Sequence, residues 1–356
     1  MSAAPDFRRL DATTSTLDAA IALRNGVAAN SAPTHAHPDA EPPRRPLRAL
    51  DVHELAATQF RQREPLLAPW LHSQDLCMVF AGRGIGKTHF SLAVAYAVAT
   101  GGKFLDWQAQ QPAKVLYLDG ELPGDVLKGR LALHVPNVEP APGFLRIFTP
   151  DLPELDGRAL PDLATPSGQA EIDSLIEDDT ALVIVDNLSA WARSGRENEA
   201  ESWHPVATWI LGLRRRGIAV ILVHHAGKSG LQRGTSKKED LLDVVIGLSR
   251  PKDYEANQGA EFIAEFTKAR HLMGDDAASL HIALKESDQR ALWTWKTVEA
   301  STYERVLLLT ADGMKPNEIA AELEMNKSTV SRHLRTARER GDLPKASTTG
   351  GAHGIA

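Results

Sequence analysis

The chain has 356 residues, 43% of them hydrophobic and 24% charged, which is typical of a globular protein with room for more than one domain. Its net charge of −6 means that any nucleic-acid binding has to come from local basic surfaces. The single cysteine, Cys77, excludes an internal disulfide, and the absence of a long apolar stretch or signal-peptide core predicts a cytoplasmic protein with no membrane partner.

The first 46 residues are rich in Ala, Pro, Thr and Asp, a composition that buries little apolar surface. We predict a disordered tail over 1–46, in which 11–24 is the stretch most compatible with a short helix. A globular domain is predicted to follow over 47–300, a small helical domain over 301–345 and a flexible tail over 346–356.

Short apolar runs alternate with helical segments after residue 75, which indicates a mostly parallel sheet flanked by helices. The predicted core strands are 76–80, 115–118, 182–185, 220–223 and 244–248. Later runs predict an antiparallel extension of the sheet, at 262–267, 280–284 and 292–295. Between the second and third core strands, seven prolines in 135–168 predict a long irregular loop.

The octapeptide at 81–88 reads Ala-Gly-Arg-Gly-Ile-Gly-Lys-Thr and lies between a predicted strand and a predicted helix, as a P-loop requires. Its glycines allow backbone N–H groups to face a phosphate chain, Lys87 adds a positive charge and Thr88 offers a hydroxyl to Mg²⁺. Ala81 stands where glycine is usual, which is acceptable if its φ is negative. ATP and Mg²⁺ are therefore the predicted cofactors, and the predicted nucleotide-binding residues are Gly82, Arg83, Gly84, Ile85, Gly86, Lys87, Thr88 and His89.

Two further core strands end in carboxylates. The run 181–186 has the form of a Walker B strand, and Asp186 is predicted to hold Mg²⁺ together with Thr88. Glu121 follows the strand at 115–118 and is predicted to act as the general base that activates water. The alternative is that Asp119 and Glu121 are solvated turn residues.

The fourth core strand ends in His224 and His225. Adjacent strand residues face opposite sides of a sheet, so this pair is not expected to bind one zinc ion, and one imidazole is predicted to contact the γ-phosphate or its water. Lys268 and Arg270 end a later strand. They form either a surface charge pair or a finger that reaches the γ-phosphate bound to a neighbouring subunit.

These motifs cover residues 66–296 and together resemble the RecA-type ATPase core of the plasmid RepA-type hexameric helicases and related RecA/DnaB-like proteins. The resemblance implies a RecA-like P-loop NTPase that forms a homo-hexamer or another ring, with single-stranded DNA contacted in the channel by loops 189–204 and 226–240. The channel loops include the predicted DNA contacts Lys228 and Lys237. The catalytic residues implied are Lys87, Glu121, Asp186, His225, Arg233, Lys268 and Arg270, the last three as candidates for the finger that acts on a neighbour.

Three helical stretches follow Trp295, and residues 317–334 resemble a helix-turn-helix of the winged-helix kind. Ser328 is predicted to cap the third helix, and Glu324 occupies a turn position where glycine is common. A small helical bundle for protein contacts is the alternative. The predicted contacts with duplex DNA are Lys327, Ser328, Thr329, Ser331, Arg332 and Arg335.

A nucleotide site joined to a basic helix-turn-helix favours an oligomeric ATPase that acts on DNA, and we predict a helicase of the RepA type that serves replication of a plasmid or mobile element. Two other functions remain open. One is an ATP-dependent DNA-binding regulator without unwinding activity, and the other is a recombinase-like filament.

Overall fold

A computed structural model describes residues 47–134, 139–194, 200–226, 240–251, 254, 259–287 and 290–343. The predicted tail 1–46, with its short helix, and the tail 346–356 lie outside these residues. The chain divides into two compact units after Phe60. In the first unit, helix α1 (Val52–Ala57) begins with a capping box in which the Asp51 carboxylate accepts hydrogen bonds from the backbone of His53 and Glu54. Every described residue of this unit is exposed.

The second unit contains strands and helices that match the predicted alternation. The strands are β1 (Pro65–Leu67), β2 (Leu71–His72), β3 (Leu76–Ala81), β4 (Lys103–Phe104), β5 (Trp107–Gln108), β6 (Lys114–Asp119), β7 (Leu145–Phe148), β8 (Thr180–Asp186), β9 (Ala219–His225), β10 (Val244–Ser249), β11 (Ala260–Ala269), β12 (Leu280–Ser287) and β13 (Arg290–Thr297). The helices are α2 (Lys87–Thr100), α3 (Gly124–Ala132), α4 (Pro166–Asp173), α5 (Leu188–Trp191), α6 (Ala200–Arg216), α7 (Val298–Ala311), α8 (Pro316–Glu322) and α9 (Lys327–Arg340).

Nine of the described strands form one sheet in the order β13-β12-β11-β10-β3-β9-β8-β6-β7. The strands from β10 to β7 in this order are parallel, and β11, β12 and β13 extend the sheet antiparallel to its edge. The predicted fold class is confirmed: an α/β fold with a mostly parallel sheet flanked by helices, followed by a small helical module. The P-loop follows β3, which has a parallel neighbour on each side.

The prediction of an irregular loop over 135–168 is wrong in part. Residues 145–148 form β7, which pairs in parallel with β6, and α4 begins at Pro166. Proline fits the first turn of a helix because that turn has no partner for its N–H, so Pro166 starts α4. The strand β7 has only four residues at the sheet edge, all half-buried, and therefore lacks the long apolar run that identified the central strands.

The sheet separates two hydrophobic clusters, and β3 contributes to both. Cys77 and Val79 belong to the cluster on the α2 side, whereas Leu76 and Met78 belong to the cluster that includes residues of α4 and α6. This alternation follows from the two-residue period of a strand. Burial on both faces explains why the β3 sequence is uniformly apolar. The sheet therefore holds the P-loop on a rigid base.

Helices α7, α8 and α9 pack around a separate small core. Its buried residues include Val306 from α7, Ile319 from α8 and Val330 from α9. Helix α9 begins at Lys327 with Asn326 as its N-cap, so Ser328 is the second helical residue and the predicted capping role for Ser328 is wrong. The predicted domain limits, 47–300 and 301–345, stay predictions. Within the described residues, no helix has both the length and the apolar character that a membrane span needs.

Glu324 adopts a φ of 47° in the turn between α8 and α9. A left-handed conformation costs an L-residue about 1–2 kcal/mol, and glycine avoids this cost. We therefore expect Glu324→Gly to increase the free energy of unfolding by up to about 1 kcal/mol, measured by urea denaturation. The control Ala321→Gly places glycine at an exposed position inside α8 and is expected to destabilise by a similar amount. If both substitutions change the free energy of unfolding by the same amount and in the same direction, the turn conformation at Glu324 is not the cause.

Candidate nucleotide-binding site

A cavity of about 780 Å³ lies at the carboxyl ends of the parallel strands. This is the edge of an α/β sheet where ligands bind. The ends of β8 and β9 and the segments that follow β3, β6, β8 and β10 contribute to its wall. The lining residues are Arg83, Gly84, Gly86, Lys87, Thr88, His89, Glu121, Leu122, Arg130, Asp186, Asn187, His225, Arg250, Tyr254, Gly259 and Ala260. The structure thus brings together most of the predicted nucleotide-binding residues with Glu121, Asp186 and His225.

The P-loop has the backbone conformation that its glycines allow. Gly84 has a φ of 72° and Gly86 a φ of 124°. A Cβ at Gly86 would also lie 3.0 Å from Cε1 of Phe262, so both conformation and packing favour glycine there. Ala81 is the buried last residue of β3 and lies outside the positive-φ region, so its methyl group is accommodated. Ile85 packs against the core cluster on the α2 side.

Lys87 is buried at the first position of α2. Its Nζ donates to the carbonyl oxygens of Ala81 at 3.2 Å and Gly82 at 2.9 Å, and lies 3.1 Å from Nδ1 of His225. Burial lowers the pKa of Lys87, while the carboxylates of Asp186 and Glu121 oppose that shift. The ammonium therefore lies within the P-loop with acceptors that a phosphate oxygen can replace.

Asp186 lies at the end of β8 within a buried hydrogen-bond network. Tyr117 donates its hydroxyl proton to Oδ2 of Asp186 at 2.7 Å, and the Tyr117 hydroxyl also lies 2.8 Å from Oγ of Ser91. A side-chain hydrogen bond joins Thr88 to Asp186. Burial raises the pKa of Asp186, and the bonds from Tyr117 and Thr88 and the charge of Lys87 oppose this shift. The peptide bond between Asp186 and Asn187 is cis.

The His225 imidazole lies between the P-loop and the end of β6. Its Nε2 is 3.4 Å from Oε1 of Glu121 and 3.1 Å from Nδ2 of Asn187. Oδ1 of Asn187 accepts from the backbone of Ser189, so the amide nitrogen faces the ring. A neutral imidazole accepts a hydrogen bond through one of its two nitrogens only. Lys87 faces Nδ1 and Asn187 faces Nε2, so they cannot both donate to a neutral ring at the same time. His224 is fully buried, in agreement with the prediction that the two histidines face opposite sides.

Asp119 is 1% exposed, so the alternative that made it a solvated turn residue is wrong. Burial and the nearby carboxylate of Asp186 raise its pKa to about 7, against hydrogen bonds from the backbone of Leu122 and Glu121 and from the Thr149 hydroxyl. Glu121, two residues further, has a side chain that is 51% exposed and reaches into the cavity. The strand end therefore carries one buried and one accessible carboxyl group.

The raised pKa of Asp119 predicts a pH-dependent stability. Between the ordinary aspartate pKa of 3.8 and about 7, the folded state binds this proton more tightly than the unfolded state, so the contribution of Asp119 to stability falls as the pH rises. We expect Asp119→Asn to lose this pH-dependent contribution. The free energy of unfolding of the variant minus that of the natural protein should therefore increase from pH 4 to pH 7. Denaturant unfolding at several pH values measures the difference. Asp125→Asn, an exposed control on α3, should differ from the natural protein in free energy of unfolding by the same amount at each of these pH values.

Arg250 and Tyr254 belong to the cavity wall but are absent from the predicted site. The Arg250 guanidinium donates to the carbonyl of Gly84 at 2.6 Å and stacks 3.6 Å from the centroid of the Tyr254 ring. The Tyr254 hydroxyl donates to the carbonyl of Gly259 at 2.9 Å. These contacts connect Gly259, which immediately precedes β11, to the P-loop through Tyr254 and Arg250. Arg130 of α3 also lines the cavity and was not predicted.

Other predicted residues lie elsewhere. Arg270 follows β11, whose last residue pairs with the first residue of β10, so it lies at the opposite edge of the sheet. Its guanidinium contacts Asp243 at 3.5 Å and donates to the carbonyl of Asp240 at 2.6 Å. Lys268 lies in β11 near the same edge. Neither residue lines the cavity of its own chain. Arg233, Lys228 and Lys237 lie outside the described residues, as do 195–199 and 227–239 of the predicted channel loops.

Helix α9 presents one buried and one exposed side. Val330, His333, Leu334 and Ala337 are buried against the small core. Arg332 and Arg335 are exposed, and among the described residues their salt bridges are long, at 3.8 Å to Glu299 and 3.9 Å to Glu339 respectively. Thr329 is half-buried. The remaining predicted DNA contacts, which are Lys327, Ser328 and Ser331, are exposed.

The chain is similar to solved structures of other proteins and to two protein families. No protein of curated function matches it. Among solved structures, the RadB recombinase aligns with 14% identity and a TM-score of 0.42 over 62% of this chain and 90% of that chain. A KaiC-like protein from the hyperthermophilic archaeon Pyrococcus horikoshii OT3 aligns with 15% identity and a TM-score of 0.44 over 64% of this chain and 93% of its own.

Two families match different parts of the sequence. Residues 306–341 match the family described as bacterial regulatory protein, arsR family, which agrees with the helix-turn-helix prediction for α7, α8 and α9. Residues 41–230, which are more than half of the chain, match the family described as AAA domain. This second match includes the P-loop, Glu121, Asp186 and His225, the residues that meet in the cavity. The chain belongs to the AAA domain family.

Proposed function

We propose that the chain is an oligomeric, ATP-hydrolysing DNA helicase or translocase of the RepA type, acting in the replication of a plasmid or mobile element. One observation supports ATP hydrolysis: five side chains with the required chemistry line one cavity. They are Lys87, the hydrogen-bonded pair Thr88 and Asp186, and the neighbouring pair Glu121 and His225. The exposed basic side of α9 supports the DNA part.

Each residue of the cavity has a role in this proposal. Lys87 binds phosphate oxygens after exchanging its contacts with the carbonyls of Ala81 and Gly82. Thr88 and Asp186 fit Mg²⁺, because both offer hard oxygen ligands and Asp186 is a buried carboxylate whose charge a cation would compensate. Bound Mg²⁺ neutralises charge on the phosphate groups.

Glu121 accepts the proton of the attacking water in this proposal, since its carboxylate is the accessible one at the end of β6. His225 contacts both Lys87 and Glu121, so a phosphate that draws Lys87 away changes which ring nitrogen accepts a hydrogen bond. The imidazole then reports the state of the nucleotide to the segment that follows β9.

Oligomerisation completes the site in this proposal. Lys268 and Arg270 lie at the edge of the sheet opposite the cavity, so they act on the nucleotide of a neighbouring chain rather than their own. Arg233 is the third candidate for this role. A closed ring, with six subunits as the expected number, brings opposite edges of adjacent subunits together.

The third helix of the module is the proposed contact with duplex DNA, and Arg332 is exposed at its centre. We expect Arg332→Ala to weaken duplex binding by about 1–3 kcal/mol, measured by fluorescence anisotropy at fixed salt. Arg158→Ala removes an equally exposed arginine from the ATPase domain and serves as the control. If both variants bind DNA as the natural protein does, α9 is not the DNA-binding helix.

The test of the whole proposal combines ATP turnover, strand displacement on a forked substrate and native mass measurement with ATP. A helicase unwinds the fork, loses this activity in Lys87→Ala and assembles into a closed oligomer. A second candidate function, an ATP-dependent regulator, is favoured by the match of 306–341 to a family of bacterial regulatory proteins. A regulator binds a specific bare duplex and leaves the forked substrate intact.

A further inference from the structure

Three side chains with metal-binding atoms meet at the edge of the sheet opposite the nucleotide cavity. His72 ends β2, Asp75 immediately precedes β3, and His271 follows β11. One possible ligand atom from each of the three lies within 4.8 Å of the others. The two segments are separated by almost 200 residues in the sequence, so the fold alone brings them together.

The distances fit a first coordination shell. Nδ1 of His72 lies 3.5 Å and Nε2 of His271 lies 3.9 Å from Oδ2 of Asp75. Ligand atoms bound tetrahedrally at about 2.0–2.2 Å from one zinc ion are separated by about 3.3–3.6 Å. Small rotations of the side chains therefore bring these atoms to bonding distance of a common ion.

The imidazoles carry nitrogen atoms that the surrounding protein does not use. Nδ1 of His72 and Nδ1 of His271 are buried and have no hydrogen-bond partner. Nε2 of His271, the nitrogen that faces Asp75, also lies 2.9 Å from the carbonyl oxygen of Trp70, a contact that a bound metal ion replaces. An unsatisfied buried nitrogen is costly, and a metal ion satisfies Nδ1 of His72.

The carboxylate is positioned by other groups. Asp75 is fully buried, and the Arg63 guanidinium contacts Oδ1, while Oδ2 accepts from the backbone of His72 at 2.7 Å. Arg63 thus orients the carboxylate as an outer partner and leaves the histidines to face Oδ2.

We propose that His72, Asp75 and His271 bind one Zn²⁺ ion, with water as the fourth ligand. Two imidazoles and one carboxylate are a donor set that zinc accepts. The ion cross-links the turn before β3 to the segment after β11. Since His271 directly follows Arg270, the cross-link also fixes the position of that segment. The site is distinct from the nucleotide cavity and does not depend on the proposed ATPase activity.

The experiment is a zinc titration of chelator-treated, full-length protein against a chromophoric competitor. His72→Gln and His271→Gln should each bind one Zn²⁺ ion fewer per chain than the natural protein. His204→Gln, exposed on α6, is the control that should keep the natural stoichiometry. Nucleotide binding by each variant confirms that it folds.

Two results would overturn the proposal. One is an unchanged zinc stoichiometry in both His72→Gln and His271→Gln. The other is obtained without any substitution: Co²⁺ bound to the natural protein should give the intense visible absorption of a four-coordinate site, and this band should disappear on addition of Zn²⁺. Natural protein that binds no Zn²⁺ at micromolar concentration, or that shows only the weak band of six-coordinate Co²⁺, contradicts the assignment even if the variants fail to fold.

Discussion

Replacement of Lys87 by alanine is expected to reduce ATP turnover by about 10²–10³-fold, because it removes the positive charge that stabilises the phosphate groups in the transition state. The residue is 7% exposed and lies against the loop formed by 82–86. No other ammonium group of the described residues lines the cavity. Steady-state ATP hydrolysis and nucleotide affinity, measured on the same preparation, separate loss of catalysis from loss of binding.

Lys128→Ala is the matched control, since Lys128 is an exposed lysine of α3 that does not line the cavity. Its turnover should equal that of the natural protein. A Lys87→Ala variant that hydrolyses ATP at the natural rate would mean that the P-loop of this chain does not hold the phosphate groups of the reacting nucleotide.

The second large effect is expected for Glu121→Gln. Glutamine keeps the size and polarity of the side chain but cannot accept a proton from water, so turnover should fall by about 10²–10⁴-fold. Nucleotide affinity should change little, because Glu121 is placed beside His225 rather than on the P-loop. Single-turnover hydrolysis and equilibrium binding of a fluorescent nucleotide measure the two quantities.

Glu154→Gln, an exposed glutamate outside the cavity, controls for a general effect of removing a negative charge. A parallel fall in affinity and turnover in Glu121→Gln would instead indicate a binding role. Natural turnover in this variant would exclude Glu121 as the base, and Asp119, which is buried, would not replace it without movement of the chain.

The elements that the sequence predicts well are those with a strong local signal. The uniformly apolar run of β3 followed by the glycine-rich octapeptide predicts a buried parallel strand and a P-loop, and both are present. The basic helix-turn-helix pattern over 317–334 likewise falls on α8 and α9. In each case, residues that are neighbours in the sequence carry the signal.

The missing parts of the site depend on contacts between distant segments. Tyr117 of β6 donates a hydrogen bond to Asp186 on the neighbouring strand β8. The sequence did offer a signal for this contact, because a buried tyrosine needs a hydrogen-bond partner for its hydroxyl group. Arg250 reaches Gly84 from more than 160 residues away, and no periodicity reveals such a contact. The cluster of His72, Asp75 and His271 was likewise invisible, because its two segments are not close in the sequence.

The direct transition from β13 to α7 limits how the helical module formed by α7, α8 and α9 can move relative to the sheet. Val298 begins α7 immediately after Thr297, and its N–H donates to the carbonyl of Ser279 at 2.8 Å. His281 of β12 lies 3.1 Å from the Ser301 hydroxyl, and Lys296 is bonded to Glu304. The strand β13 and the helix α7 are thus joined without a linker segment. A duplex gripped by α9 would turn as one body with the ATPase sheet, so every rotation of a protomer would impose the same rotation on the double helix.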